Sequence, residues 1–375
     1  MIDVDPASTR RILVRANNWI GDVVMIAPAV RAIRERFTGA RLAIVAKDWV
    51  LEALAGNPFY DELIAYDPAG RHAGLAGRLR LAKTIRSGGA VDLAVLFQKA
   101  FDAAVIALLA GARVRVGYAT DARGPLLTHA LPPPPASLHN AEAFLGLARA
   151  LGCRVPSAGP GFHVGEEERG RARALLDAAG LTGAGPLVAL HVGASKAPRA
   201  WHAARFGELA RRLCRRLDAR VAVLAGPGEE ALADVVARGL PGGSFVVCGP
   251  TGGVRRTAAI LERCSLFVGS DSGPMHIAAA LGVPTIGIFG PGLPRNTAPL
   301  GRPGTVVTVG RDYPCAPCRQ AFFTECPPAP SGKPFCLEEI DVDEIERAAL
   351  ALIGDGGARR GEGSGGPAPG DAARP

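Results

Sequence analysis

The feature that most constrains this chain is a strand–helix alternation that runs twice, once on each side of four consecutive prolines, Pro132 to Pro135. In the first half, β-rich runs at 12–15, 42–46, 62–66, 93–97 and 113–118 read as strands. Helical stretches at 22–37, 49–55, 75–86 and 100–110 lie between them. The second half repeats the pattern, with strands at 187–191, 221–225, 245–248, 266–268 and 285–289 and helices at 203–217, 229–238, 257–264 and 276–281. Such alternation gives a parallel sheet covered by helices on both faces. The proline run makes a stiff connector rather than a sheet interior. A helix at about 140–151 and a turn-rich stretch at 156–161 follow it.

The expected architecture is therefore α/β, with two doubly wound, Rossmann-like domains at residues 1–155 and 156–353 facing across a cleft. The carboxyl ends of two such sheets then face that cleft, and this is the edge where doubly wound sheets bind ligands. A chain of 375 residues suffices for two cores. Residues 354–375 are mostly Gly, Pro, Ala and Arg, cannot bury a core, and read as a disordered tail.

No apolar run reaches the ~18 residues that span a bilayer. The first ten residues carry Asp3 and Asp5 and do not read as a secretory signal. The eight cysteines are thus expected in a reducing compartment, the cytoplasm. The net charge of +8 permits an acidic partner without naming one, and no nucleic-acid partner is expected. Between Asp67 and Asp92 there is no acid, but there are Arg71, Arg78, Arg80, Lys83 and Arg86, with Leu75, Leu79, Ala82 and Ile85 at helical spacing. Such a helix either lies peripherally on an anionic membrane surface or is a solvated face.

There is no GxxxxGK[ST] loop, and no GxGxxG follows the first strand, which disfavours a P-loop NTPase and a dinucleotide oxidoreductase. The strongest local signal is the run Val268 to His276, VGSDSGPMH, leading from a strand into a helix. Small Ser272 and Gly273 let a ligand approach backbone N–H groups, and Pro274 suits a first helical turn. A helix start of this kind binds a diphosphate, unless Asp271 or Ser272 simply caps it. Asp22 opens the first helix. It is either a dipole-favoured acid or a general base for a sugar hydroxyl. Lys196 and Arg199, in the loop after the strand ending at His191, are candidate cations for a leaving diphosphate. Glu229, or Glu230 in the neighbouring register, could take a ribose diol. Cys315, Cys318, Cys326 and Cys336 have the spacing of a structural zinc or iron–sulfur site, or are free thiols. Cys153, Cys214, Cys248 and Cys264 read as core residues.

Taken together these motifs resemble glycosyltransferase family 9, the lipopolysaccharide heptosyltransferases. The matching pieces are Arg15 to Asp22, Val114 to Tyr118, Arg123 to Thr128, His191 to Ala194 with Trp201, Ser270 to His276, and Phe289 to Pro291, joined by the late cysteine cluster. The tryptophan before Ile20-Gly21-Asp22 points to the heptosyltransferase II branch. The resemblance implies a GT-B fold and an inverting, metal-independent transfer of heptose from ADP-L-glycero-D-manno-heptose to the inner core of lipopolysaccharide, a lipid-linked oligosaccharide acceptor. Another nucleotide sugar and another surface glycan, or sugar-nucleotide binding without turnover, are the alternatives. By the same resemblance Asp22 is the base, and Asp271, Ser272, Gly273 and His276 hold the diphosphate and sugar. Glu229 takes the adenosine ribose. The family's basic residue two places before the loop tryptophan is usually Lys, and here it is Arg199, which leaves Lys196 as a rival for the role. Gln98, Lys99 and Arg123 are acceptor-side candidates.

Overall fold

A computed structural model describes residues 1–155, 162–241, 245–248, 253–311, 313, 315, 318, 322–324 and 326–361, with backbone alone at 245–248 and 355–361. In the first half the elements are β1 (Arg11–Arg15), α1 (Ile20–Arg36), β2 (Arg41–Ala46), α2 (Asp48–Leu54), β3 (Glu62–Ala65) and α3 (Gly74–Ser87). They continue with β4 (Leu93–Leu96), α4 (Phe101–Leu109), β5 (Val114–Tyr118), β6 (His129–Leu131) and α5 (Asn140–Ala150). The second half has α6 (Glu166–Ala178), β7 (Leu187–His191), α7 (Ala203–Leu217), β8 (Arg220–Leu224), α8 (Glu230–Ala237), β9 (Phe245–Cys248), α9 (Gly253–Leu261) and β10 (Leu266–Ser270). It ends with α10 (Gly273–Ala280), β11 (Thr285–Phe289), α11 (Pro294–Thr297), β12 (Val306–Gly310), α12 (Phe335–Glu338) and α13 (Val342–Gly361).

Two six-stranded sheets result, ordered β3-β2-β1-β4-β5-β6 and β12-β11-β10-β7-β8-β9. Every pairing is parallel. The central strands are buried along their whole length because their aliphatic side chains alternate between two covered faces. In the first sheet Ile12, Val14, Ile44 and Val95 pack under α1 and α5, while Leu13, Val45 and Leu96 pack under α3 and α4. In the second, Val188, Leu190, Val268 and Ile288 lie under α7 and α13, and Ala189, Leu224 and Phe267 lie under α6, α9 and α10.

The expected alternation is present, with β6, β12, α6, α11, α12 and α13 added to it. α13 runs to Gly361, so helix continues where a structureless tail was expected from 354; residues 362–375 and the turn-rich stretch 156–161 lie outside the described residues. Among the described residues no helix is long and apolar enough to cross a membrane.

Among the described residues the two halves meet at three places. The start of α1 abuts the start of α10. Arg255 of α9 pairs with Glu168 of α6 and reaches the Ala53 carbonyl of α2 at 3.5 Å. Asn296 of α11 donates to the Ala136 and Leu138 carbonyls at 2.8 and 3.1 Å.

Candidate functional site

The junction of α1 and α10 gathers most of the chemistry. Both helices begin at the carboxyl edge of a central strand, β1 and β10, so the sheet topology aims two N-termini at one another. Glycine permits the contact. A Cβ on Gly21 would sit 2.7 Å from Cδ2 of His276, and one on Gly273 would sit 3.1 Å from Cβ of Ile20.

Asp22 lies in the first turn of α1. Burial pushes its carboxyl up to about 6, reinforced by the charge of Asp271 and opposed by a hydrogen bond from Asn17 and the charge of Lys99. Lys99, just beyond β4, is itself lowered by burial, with Asp22 acting against that shift.

At α10 no side-chain cap is made, which answers the capping alternative. The Ser272 hydroxyl turns back to donate to the Ser270 carbonyl at 3.0 Å and stands 3.1 Å from Nδ1 of His191. Asp271 pairs with Arg199 instead of capping. Burial raises the Asp271 carboxyl and Arg199 opposes that shift. Among the described residues no side chain caps the first-turn N–H groups, and the helix dipole adds positive potential there. His276, in the same turn, is 4% exposed and driven down to about 3 by burial. It is neutral at neutral pH and supplies no charge. Its Nδ1 is buried without a partner.

The two candidate cations separate. Arg199 reaches the centre through Asp271. Lys196, the rival for that role, is exposed and its ammonium lies 5.7 Å from the Phe322 ring centroid. The loop is pinned by buried Trp201, whose backbone N–H donates to Ser270 Oγ at 2.9 Å and whose indole donates to the Ile340 carbonyl at 3.1 Å.

Glu229 precedes α8, and its carboxylate accepts from the Gly226 N–H at 2.6 Å and packs on Gly193, at the carboxyl ends of β7 and β8. Glu230 is exposed and accepts from the Gly228 N–H at 3.3 Å. Glu229 is thus packed against the strand ends, whereas Glu230 is turned to solvent. Sequence reasoning missed His191 as a site member. It stands between Ser272 and Glu229, 3.9 Å from the latter, and burial lowers it to about 4. Its signal was its place as the last residue of β7.

Of the acceptor-side candidates, Arg123 is corrected. It is fully buried, donating to the Tyr118 carbonyl at 2.8 Å and to the Gln98 and Leu96 carbonyls, so its guanidinium holds the β4 and β5 ends together. Lys99 remains near enough to Asp22 to act on its charge, and the Gln98 side chain accepts from the Lys99 N–H at 2.8 Å.

Four cysteine thiols are a fitting donor set for a structural metal, and Cys315, Cys326 and Cys318 are near enough to Cys336 to reinforce the burial that raises it to about 11. Yet among the described residues no group of three or more His, Cys, Asp or Glu side chains is arranged to hold a metal ion. Cys153 and Cys264 are buried in the core as expected and Cys214 is partly so; the Cys248 side chain lies outside the described residues.

The family model "Glycosyltransferase family 9 (heptosyltransferase)" matches residues 78–325, about two thirds of the chain. This chain belongs to glycosyltransferase family 9. It is 26% identical over 316 residues to lipopolysaccharide heptosyltransferase 2 of Salmonella typhimurium, covering 81% of this chain and 89% of that protein. It is 31% identical to lipopolysaccharide heptosyltransferase 1 of Pseudomonas aeruginosa over 179 residues, 46% of this chain and 49% of that one. Among solved structures, a family 9 glycosyl transferase from Veillonella parvula superposes with a TM-score of 0.82 at 22% identity, covering 94% of this chain and 99% of that one. ADP-heptose lps heptosyltransferase II of E. coli superposes at 0.75 and 21% identity, covering 92% and 99%. Both likenesses establish the fold, GT-B, and the family makes the chain a glycosyltransferase.

Proposed function

We propose that this enzyme transfers heptose from ADP-L-glycero-D-manno-heptose to the inner core of lipopolysaccharide by a single, inverting displacement. The observation that carries the reading is the placement of Asp22, a half-buried carboxylate raised to about 6, near the uncapped start of α10 and the Arg199–Asp271 pair. The relatives' names support the sugar.

In this scheme the acceptor hydroxyl oxygen attacks the anomeric carbon and gives its proton to Asp22. The bond from that carbon to the β-phosphate oxygen breaks, and its electron pair leaves with ADP. Negative charge grows on the departing diphosphate, and no metal is required for this step. The fixed N–H groups of α10 and the Arg199 guanidinium meet that charge. Asp271 positions Arg199 rather than touching the donor, because a carboxylate beside a diphosphate repels it. Glu229 takes the ribose hydroxyls, and neutral His276 packs the two helix starts together.

Two further assignments go with this reading. The exposed face of α3 rests peripherally on the cytoplasmic side of the inner membrane, where a lipid-linked acceptor is met. The four-cysteine loop is a structural zinc or iron–sulfur site with no part in transfer. Elemental analysis that finds neither zinc nor iron in protein purified under reducing conditions would return those residues to free thiols.

A donor screen tests the main reading. ADP release from ADP-heptose, with little GDP or UDP release from GDP- or UDP-sugars, is expected. Faster release from another nucleotide sugar would move the enzyme to a different glycan. Binding of ADP-heptose without release under any acceptor would make it a non-catalytic binding protein.

A further inference from the structure

The chain has three tryptophans. Trp201 is buried with both N–H groups satisfied. The other two are 61% and 50% exposed, and both lie at the β1–α1 loop that leads into Asp22: Trp19 is part of it and Trp49 donates to its Asn18 carbonyl. Trp19 is the residue before α1, three positions from Asp22. Trp49 opens α2, one loop away at the carboxyl end of the neighbouring strand, since β1 and β2 pair in parallel with Arg15 opposite Val45.

Trp49 is held in place. Its indole N–H donates to the Asn18 carbonyl at 3.2 Å, and the Lys47 ammonium lies 4.7 Å from its ring centroid. Half of its surface is nonetheless open. A large ring that is both fixed and exposed loses little freedom when a ligand covers it. Exposed apolar surface rimmed by polar groups marks a binding site. In a chain with 5% aromatic residues, two exposed indoles at one sheet edge, one of them in the same helical turn as Asp22, define a place.

We infer that Trp19 and Trp49, with Lys47, form a saccharide subsite that stacks the acceptor's sugar rings beside Asp22. The inference rests on the proposal that Asp22 activates an acceptor hydroxyl. Trp19 and Asp22 belong to the same first turn of α1, where the Val23 N–H donates to the Trp19 carbonyl at 3.0 Å, so residues three apart are neighbours and a sugar whose hydroxyl meets Asp22 has Trp19 within reach. Sugar rings carry apolar C–H faces that pack on indole, and Lys47 supplies positive charge for an anionic substituent on the same oligosaccharide. The ligand class is thus an acidic oligosaccharide.

The test uses O-deacylated inner-core lipopolysaccharide oligosaccharide as the probe. Its addition to the full-length protein without donor should shift tryptophan emission, and Trp19→Phe and Trp49→Phe together should remove that shift, because only buried Trp201 then remains. In turnover, Trp49→Ala and Trp19→Ala should each raise the KM for the oligosaccharide about 10-fold or more while the KM for the donor stays within about twofold. Trp49→Phe should restore most of the loss, which separates stacking from a folding defect. Unchanged oligosaccharide KM in both alanine variants would overturn the subsite. So would emission that responds to phosphatidylglycerol vesicles and not to the oligosaccharide, which would make these rings a membrane contact. If wild-type protein releases no ADP from ADP-heptose, the donor reading falls, and the emission titration, which needs no donor, still decides the subsite.

Discussion

The ring of His276 rests on the backbone of Gly21, so the helix that carries Asp22 and the helix that opens onto Arg199 and Asp271 are in contact at their first turns. A methyl group at Gly21 would stand 2.7 Å from the ring, closer than packed carbons approach, and the ring is too buried to turn away. Gly21→Ala should therefore part the two helix starts by a few tenths of an ångström. A misplacement of that order between base and leaving group should cost roughly 10-fold or more in turnover. Circular dichroism should show the fold retained. Turnover equal to wild type would mean that the contact does not set the catalytic distance.

Arg199 and Lys196 make opposite predictions from one loop. Arg199→Ala removes the cation and leaves Asp271 as a buried carboxylate without its partner, so turnover should fall by about 10²-fold, or ~2.7 kcal/mol of barrier. Lys196→Ala loses a contact with Phe322 and should change turnover by less than about twofold. Single-turnover kinetics on the two variants decide it, and a reversal of the order would reassign the cation.

The pH profile follows from burial of Asp22. As base it must be ionised, so kcat/KM should decline as pH falls through about 6. Stability runs the other way. The folded pKa is raised above the unfolded 3.8, so between pH 4 and 6 the folded state holds the extra proton, and its relative stability falls as pH rises through that window. Above it the charged carboxylate is a full penalty, on the order of 1–3 kcal/mol before its partial exposure is allowed for. Asp22→Asn should raise Tm at pH 7.5, with the gain vanishing near pH 4. A constant Tm difference across that range would contradict the assigned shift.

The leucines of α3 divide between core and solvent. Ala82 and Ile85 are buried with Leu81, whereas Leu75 and Leu79 are 65% and 46% exposed. Phe101 and Leu108 of α4 are exposed on the neighbouring helix, and Arg71, Arg80, Lys83 and Arg86 are exposed on and beside α3. Leu75→Ser with Leu79→Ser should lower binding to vesicles containing phosphatidylglycerol about 10-fold, with wild-type Tm because neither residue packs in the core. High salt should weaken the wild-type interaction. Equal vesicle sedimentation for both proteins would remove this face from the membrane.

The strands and helices of both domains were readable because each carries its signal locally, in runs such as Leu187 to His191. So was the start of α10, where Ser272, Gly273 and Pro274 are adjacent. What sequence could not provide depends on contacts far along the chain. Arg199 is paired with Asp271, 72 residues on, and nothing in the loop that holds Arg199 and Lys196 announces that contact. Arg123 looked like a ligand-facing cation, and three carbonyls from β4 and β5 and the residues following them consume it. β6 was missed because it is three residues long and runs straight into the prolines. The break in the α3 apolar stripe cannot be seen without knowing where the β4–α4 layer ends.

Asp22→Asn measured for donor affinity and for transfer in the same preparation tests the central claim most directly. The amide keeps the size of the side chain and cannot take the proton. ADP-heptose affinity within about threefold of wild type, with transfer reduced by on the order of 10²-fold or more, is the expected result. Transfer at the wild-type rate with donor affinity intact would contradict it and place the base elsewhere in the cleft.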